Sequence, residues 1–125
     1  MDALTAVIVD DDTLARDRLG QLLTDAGVRV LASLPDGLAA LAWFRTPGHE
    51  ADAAFVDIQM PQMDGLEATR RLRSMGCEVP IVALTANAMT EDRARCLAQG
   101  MNDFLAKPIS LARLRSCLLR HCRLP

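Results

Sequence analysis

Polar side chains that can do chemistry follow four short apolar runs of this sequence. They comprise carboxylates, one hydroxyl and one amine, and they stand at Asp10, Asp11, Asp12, Asp57, Thr85 and Lys107. If the runs are parallel strands of one sheet, these groups meet beyond the carboxyl ends of the strands, where such sheets bind ligands. Two carboxylates ~4 Å apart repel by on the order of 4 kcal/mol at an effective dielectric constant of about 20. The edge therefore favours a bound divalent cation.

The chemistry of these groups suits phosphoryl transfer. A ligand set made only of oxygen atoms favours a hard cation, Mg²⁺ or Mn²⁺, over zinc. Lys107 adds a positive charge that can pair with Asp57 or with a phosphoryl oxygen, and the Thr85 hydroxyl can donate to the same oxygens. An aspartate can act as the nucleophile and form an aspartyl-phosphate, while the protein supplies positioning and charge neutralisation.

Strand and helix patterns alternate along the chain. Apolar runs predict buried strands at residues 7–9, 28–32, 53–56, 79–84 and 104–106. Helices are predicted at residues 13–26, from 36–37 onward, from Asp64 onward, at 88–99 and after Ser110, which is the expected N-cap of the last helix. The second helix is expected to carry Leu38, Leu41 and Ala42, and Asp64 with Glu67 forms a capping-box pattern at the start of the third. Unbroken apolar strands linked by helices indicate a parallel α/β sheet covered on both faces. Asp12 is predicted to cap the first helix and is left out of the metal set.

Composition indicates one globular domain over residues 1–125. Half of the residues are hydrophobic and the formal net charge is −2, which does not indicate binding to nucleic acid or to a membrane surface. No apolar run approaches the ~20 residues of a membrane span, and the N-terminus lacks a signal-peptide pattern. The cysteines are expected to be reduced, in the cytoplasm. Cys117, His121 and Cys122 have helical spacing, but they fall short of the four ligands of a typical zinc site.

Four segments together resemble the receiver domains of response regulators in two-component signalling. They read VIVDDD at 7–12, FVDIQMPQMDG at 55–65, ALTANA at 83–88 and FLAKP at 104–108. Their order and spacing match the family over essentially the whole chain. The resemblance implies a flavodoxin-like, three-layer, doubly wound sheet of five parallel strands in the order 2-1-3-4-5, with five helices.

The resemblance also implies a role for each acidic and basic site residue. Asp57 matches the phospho-acceptor. Asp10 and Asp11 match the acidic pair that holds Mg²⁺, Asp11 directly and Asp10 largely through water. The backbone carbonyl of Gln59 is expected to complete the metal shell. Lys107 matches the lysine of the family, and its bond to the following proline is expected to be cis.

A second group of residues matches the family's switch. Thr85 is expected to turn toward the phosphate, and Ala86 to leave room for it. Phe104 matches the aromatic switch position, although it lacks the hydroxyl that a tyrosine would supply. Gln59 and Asn87 match positions that influence the lifetime of the phosphorylated state. Phosphorylation is expected to alter the face formed by the fourth helix, the fifth strand and the fifth helix.

Residues 59–65 and 84–89 are similar to receivers attached to hybrid sensor histidine kinases. This similarity implies a domain from a larger protein, with or without covalently linked kinase domains, that takes its phosphoryl group from a histidine kinase or a histidine phosphotransfer domain. No direct binding to nucleic acid and no membrane insertion are expected. Enzymatic activity is expected only as self-catalysed phosphoryl acceptance and slow autodephosphorylation.

Three alternative functions remain open at this stage. Asp10 and Asp12 have the Asp-x-Asp spacing of aspartate-nucleophile phosphohydrolases of the haloacid dehalogenase type, although Leu14 departs from that pattern. An unphosphorylated receiver could act only as an interaction module, but the complete set of site residues disfavours this. A flavin-binding domain is disfavoured because the acidic edge would repel an anionic phosphate.

Overall fold

A computed structural model describes residues 3–86 and 90–121 and shows five strands alternating with five helices. They are β1 (Thr5–Val9), α1 (Thr13–Asp25), β2 (Arg29–Leu34), α2 (Gly37–Arg45), β3 (Ala53–Asp57), α3 (Gly65–Ser74), β4 (Ile81–Thr85), α4 (Thr90–Ala98), β5 (Asp103–Ala106) and α5 (Leu111–His121). All neighbouring strands pair in parallel, in the order β2-β1-β3-β4-β5. The predicted flavodoxin-like fold is confirmed. Asn87, Ala88 at the predicted start of the fourth helix, and Cys122 lie outside the described residues.

The bounds of β2 and β4 differ from the predicted ones for local reasons. The N–H of Val28 donates to the carbonyl of Leu23, so this residue completes the end of α1 and does not open β2. β2 instead extends to Leu34, whose carbonyl accepts from the N–H of Asp10 across the sheet. Pro80 has no N–H to contribute to a strand ladder, and β4 begins after it.

The sheet is covered by apolar side chains on both faces. β3 and β4 are buried at every position, as their unbroken apolar runs predicted. One core cluster lies under α2, α3 and α4, and the other lies under α1 and α5. Within the part of the chain that the structure describes, every helix is too short or too polar to cross a bilayer.

The buried stripe of α2 differs from the predicted one. Leu41 is buried as expected, but Leu38 is 57% exposed and Ala42 is also exposed. The stripe that faces the core follows the i, i+3, i+4 spacing through Gly37, Ala40 and Leu41. A Cβ added at Gly37 would stand 2.8 Å from the sulfur of Met63, just before α3, and 3.3 Å from the Cβ of Ala68 on α3. This close helix packing fixes which face of α2 is buried.

Aspartate side chains cap three of the helices at their N-termini. Asp12 caps α1, as the sequence predicted, and Asp36 caps α2, which begins where its helical pattern was expected to begin. At α3, Asp64 Oδ1 accepts from the N–H of Glu67 at 2.8 Å, which is one half of the predicted capping box. The Glu67 carboxylate binds Arg70 and Arg71 instead of turning back to the cap residue.

The cap of α3 supports a test by substitution. Asp64→Ala is expected to lower the free energy of unfolding by about 1 kcal/mol, because one backbone N–H of the first turn loses its acceptor. Asp64→Asn keeps an acceptor oxygen and should change stability by only a few tenths of that. Urea denaturation of the three proteins measures both values. Equal losses in the two variants would contradict a capping role.

Candidate functional site

Three carboxylates meet at the carboxyl edge of the sheet. Asp10 directly follows β1 and Asp57 is the last residue of β3, so the parallel pairing of these two strands brings them side by side. One carboxylate oxygen from each of Asp10, Asp11 and Asp57 lies within 4.8 Å of the other two. Asp10 is 1% and Asp57 7% exposed, whereas Asp11 faces solvent. Two buried acids and one accessible acid therefore form a single cluster.

Lys107 provides the positive charge of this cluster. Its Nζ donates to Asp10 Oδ2 at 2.9 Å and lies 3.6 Å from Asp57 Oδ2. Burial lowers the pKa of Lys107, but its hydrogen bond to Asp10 and the charges of Asp57 and Asp10 outweigh burial and raise the pKa overall. The ammonium group therefore stays protonated at neutral pH. The Lys107–Pro108 peptide bond is cis, as expected.

The pKa of Asp57 is raised from its ordinary value of 3.8 to about 6. Burial is the largest cause and the neighbouring charge of Asp10 is the second. Two contacts lower the Asp57 pKa: the charge of Lys107, and the N–H of Gln59, which donates to Asp57 Oδ1 at 3.3 Å. They do not cancel the increase caused by burial and by Asp10. The protein alone thus leaves negative charge at this site incompletely neutralised. The ligand atoms that the cluster offers are carboxylate oxygens, so the cluster fits a hard divalent cation such as Mg²⁺.

Backbone contacts hold the first of these acids in place. Asp10 Oδ1 accepts from the N–H of Asp12 at 2.9 Å, and the Arg16 guanidinium donates to the Asp10 carbonyl at 2.6 Å. The Asp12 side chain accepts from the N–H groups of Leu14 and Ala15, as expected for a helix cap. Asp12 is therefore engaged by α1 and lies outside the cluster of three carboxylates.

The predicted switch residues lie at two depths along the sheet. Thr85 ends β4, is 7% exposed, and its carbonyl accepts from the N–H of Lys107 at 2.7 Å, which joins the ends of β4 and β5. Ala86 follows it and is exposed. Phe104 is half-buried and pairs in register with Ala83, two residues before Thr85. Thr85 and Ala86 thus lie at the end of β4, whereas Phe104 lies on the outer strand β5, further from that end of the sheet.

Two depressions lie beside the acidic edge, and no sequence pattern predicts either of them. One, of about 500 Å³, is lined by Ile58, Gln59, Met60, Pro61, Asp64, Thr85 and Arg95. The other, of about 610 Å³, lies between α1 and the segment after β5 and includes Leu14, Ala15, Leu22, Lys107, Pro108 and Ile109. Arg95 and Ile109 carry no local sequence signal for these positions. Their placement depends on how α4 and the segment after β5 pack on the sheet.

Comparison with known proteins gives consistent matches along the chain. A family model, "Response regulator receiver domain", matches residues 6–119. The chain is 35% identical over 117 residues to Sensor histidine kinase RcsC of Salmonella typhi, covering 94% of this chain and 12% of that protein. It is 36% identical over 121 residues to Hybrid signal transduction histidine kinase L of Dictyostelium discoideum, covering 92% of this chain and 7% of that protein. The chain thus spans only a small part of these relatives.

A solved structure extends the match to the fold. The receiver domain of sensor histidine kinase PA1611 from Pseudomonas aeruginosa PAO1 superposes with a TM-score of 0.81 at 37% identity, covering 96% of this chain and 98% of that one. That structure has a magnesium ion coordinated in its active site cleft. The likeness to receivers of hybrid sensor kinases, inferred from the sequence, is confirmed. This chain belongs to the family of response regulator receiver domains.

Proposed function

We propose that this receiver domain accepts a phosphoryl group on Asp57 as one step of a two-component phosphorelay. The observation that carries the proposal is the position of Lys107, whose Nζ lies 2.9 Å from Asp10 and 3.6 Å from Asp57 at the centre of an acidic cluster. Because its ammonium group contacts both acids, Lys107 is close enough to pair with the negative charge of a phosphoryl oxygen that approaches Asp57. The relatives that are sensor kinases support a phosphohistidine as the donor.

The transfer requires one bond to form and one to break. An oxygen of the Asp57 carboxylate attacks phosphorus, the bond between phosphorus and the imidazole nitrogen breaks, and its electron pair stays on that nitrogen. Lys107 neutralises charge on the phosphoryl oxygens, and Asp10 orients Lys107 through their hydrogen bond. Asp10, Asp11, Asp57 and the Gln59 carbonyl would hold Mg²⁺ or Mn²⁺, which supplies further charge neutralisation when bound.

An apolar surface beside the acceptor suits the docking of a phosphohistidine donor. Leu14 on α1 is 57% exposed and lines the depression that also contains Lys107, Pro108 and Ile109. A protein that presents a histidine to Asp57 would contact this rim, because Lys107, whose Nζ lies 3.6 Å from Asp57 Oδ2, lines the depression together with Asp10. We therefore propose a histidine kinase or histidine phosphotransfer domain as the partner, either as a separate protein or linked covalently to this chain in a longer protein.

The proposed output is a change in the face formed by α4, β5 and α5. Thr85 and Lys107 are already joined by a backbone hydrogen bond, so movement of the Thr85 side chain toward a phosphoryl oxygen affects the junction of β4 and β5. Ala86 is small enough to allow that movement. Phe104 is half-buried on β5 and would repack in response.

Mass analysis of the intact protein after incubation with acetyl phosphate tests the proposal. One added phosphoryl group is expected with Mg²⁺, and none is expected with a chelator or in Asp57→Asn. Asp12→Asn is the matched control, since it removes a charge from the same edge but keeps an N-cap acceptor, and it should be phosphorylated like wild type. Uptake by Asp57→Asn at the wild-type level would refute Asp57 as the acceptor.

The phosphohydrolase alternative predicts a different result. Its Asp-x-Asp pair would need Asp12 as a proton donor, but the Asp12 carboxylate caps α1. We propose that the chain is not an enzyme beyond its own phosphorylation and slow dephosphorylation. Incubation with p-nitrophenyl phosphate should therefore give no sustained turnover, and repeated turnover that depends on Asp12 would favour the hydrolase.

A further inference from the structure

Charge is distributed unevenly between the two parts of this chain. From Thr90 to the C-terminus the sequence has seven Lys or Arg residues and three acidic ones, whereas residues 1–89 have seven basic and thirteen acidic residues. The net charge of −2 therefore hides a basic part built on α4, β5 and α5. A strong asymmetry of this kind indicates a surface that interacts with charge of the opposite sign.

Three of these arginines line one open groove along the edge strand β5. The groove has a volume of about 590 Å³ and is lined by Arg93, Asp103, Phe104, Leu105, Ala106, Ala112, Arg113, Ser116 and Arg120. We call it the basic groove. Since α4 and α5 pack on opposite faces of the sheet, the basic groove crosses the outer edge of β5 between them. Its floor offers apolar contacts and its two sides offer guanidinium groups.

The arginines of the basic groove differ in their present contacts. Arg120 donates to Asp103 Oδ2 at 2.7 Å, so this pair is neutral within the groove. The Arg93 guanidinium lies 5.4 Å from the centre of the Phe104 ring. Among the side chains that the structure describes, in residues 3–86 and 93–121, neither Arg93 nor Arg113 has an ion-pair partner. Two guanidinium groups can therefore bind new carboxylates without breaking an existing ion pair.

We infer that the basic groove binds an acidic segment of a partner protein. Guanidinium groups bind carboxylates through paired hydrogen bonds, and apolar side chains between the acids of such a segment can contact Phe104 and Ala112. A long nucleic acid fits less well, because the acidic remainder of the chain repels a polyanion that extends beyond the groove. The basic groove lies on the face that is proposed above as the output face. Regulation of peptide binding by phosphorylation therefore rests on the proposed function, whereas the charge complementarity between the groove and an acidic segment does not.

Fluorescence anisotropy of a labelled peptide with alternating glutamate and leucine tests this inference on the unphosphorylated protein. The double variant Arg93→Gln/Arg113→Gln is expected to bind the peptide at least about tenfold more weakly than wild type. The matched control is Arg29→Gln/Arg45→Gln, which removes two exposed arginines from β2 and α2 and should change affinity less than about twofold. A peptide with glutamine in place of glutamate should bind weakly, and added salt should weaken binding of the acidic peptide.

Four outcomes would overturn the inference: equal losses in both double variants, equal binding of the glutamine peptide, tighter binding of a single-stranded oligonucleotide, or self-association of the chain that depends on Arg93 and Arg113 without peptide binding. Phosphoryl uptake by wild type is measured separately. Normal phosphoryl uptake without peptide binding would contradict only the inference of an acidic partner segment. Peptide binding without uptake removes only the proposed phosphoryl acceptance.

Discussion

Replacement of Gly65 by alanine is expected to lower the free energy of unfolding by about 3 kcal/mol and to slow phosphoryl uptake by Asp57. A Cβ at Gly65 would lie 2.3 Å from the Asp57 carbonyl oxygen and 2.9 Å from its carbonyl carbon. The N–H of Gly65 also donates to the Ile58 carbonyl at 2.9 Å, so α3 begins directly against the segment that carries Asp57, the proposed acceptor. Because the clash is with backbone, it can be relieved only if the end of β3 moves, and Asp57 moves with it.

Two other glycines provide matched controls for this prediction. At Gly20 in α1 an added Cβ meets only Ile8 at 3.8 Å, so Gly20→Ala should stabilise the protein by about 0.5–1 kcal/mol through helix propensity. Gly37→Ala would contact the flexible Met63 side chain, and an intermediate effect is expected. Urea denaturation and the rate of phosphorylation by acetyl phosphate measure the series. Wild-type stability and rate in Gly65→Ala would show that the close approach does not position the acceptor.

The arrangement of the acidic edge could be predicted because it follows from the parallel sheet. The apolar runs mark where strands end, and the carboxyl ends of parallel strands meet at the same edge. Asp57 and Thr85 end their strands, while Asp10 and Lys107 directly follow theirs. This rule holds whatever the details of side-chain packing, which is why four positions far apart in the sequence could be placed together.

Details that depend on packing between distant elements could not be predicted. Lys107 was expected beside Asp57, yet its shorter contact is with Asp10. The steric role of Gly65 arises from the angle at which α3 approaches β3, and one sequence does not specify that angle. Leu38 looked like a core residue until the close packing of α2 on α3 set the rotation of the helix.

Arg73 is a further example of a contact without a local sequence signal. Its guanidinium donates to the carbonyls of Gly100, Cys77 and Val79 and to Asn102 Oδ1, at distances from 2.8 to 3.0 Å. It thereby joins the end of α3 to the loop before β5, 27 residues later. In the sequence this residue is one basic residue among several on the exposed side of an amphipathic helix. Only the tertiary structure shows that it binds backbone carbonyls.

Asp57→Asn is expected to stabilise the metal-free protein at neutral pH by on the order of 2 kcal/mol. Burial and the charge of Asp10 raise the Asp57 pKa from 3.8 to about 6, so the ionised carboxylate is less favourable in the folded protein than in the unfolded chain. Asparagine removes that charge, while Lys107 keeps its hydrogen bond to Asp10. Asp12→Asn, which removes a charge but not the cap of α1, should change stability by less than about 0.5 kcal/mol.

The pH dependence of this difference follows from proton linkage. Between pH 3.8 and about 6 the folded protein binds a proton at Asp57 that the unfolded chain has released. The contribution of Asp57 to the free energy of unfolding of wild type therefore falls as pH rises through that window. Asp57→Asn has no such contribution, so its free energy of unfolding does not show this decrease. The difference between the two proteins should be near zero at the acid end of the window and largest above its upper end. A constant difference across the window would contradict burial of the Asp57 charge.

Saturating Mg²⁺ should reverse the order of stability of the same two proteins. Binding at a concentration of about one hundred times the dissociation constant stabilises the folded state by about 2.7 kcal/mol. Wild type has all three carboxylates and gains this stabilisation, whereas Asp57→Asn has lost one of them and gains less. Urea denaturation with a chelator or with Mg²⁺ measures both orders. If the metal stabilised both proteins equally, Asp57 would not be a metal ligand. The repulsion between the clustered carboxylates would then have to be reduced in another way.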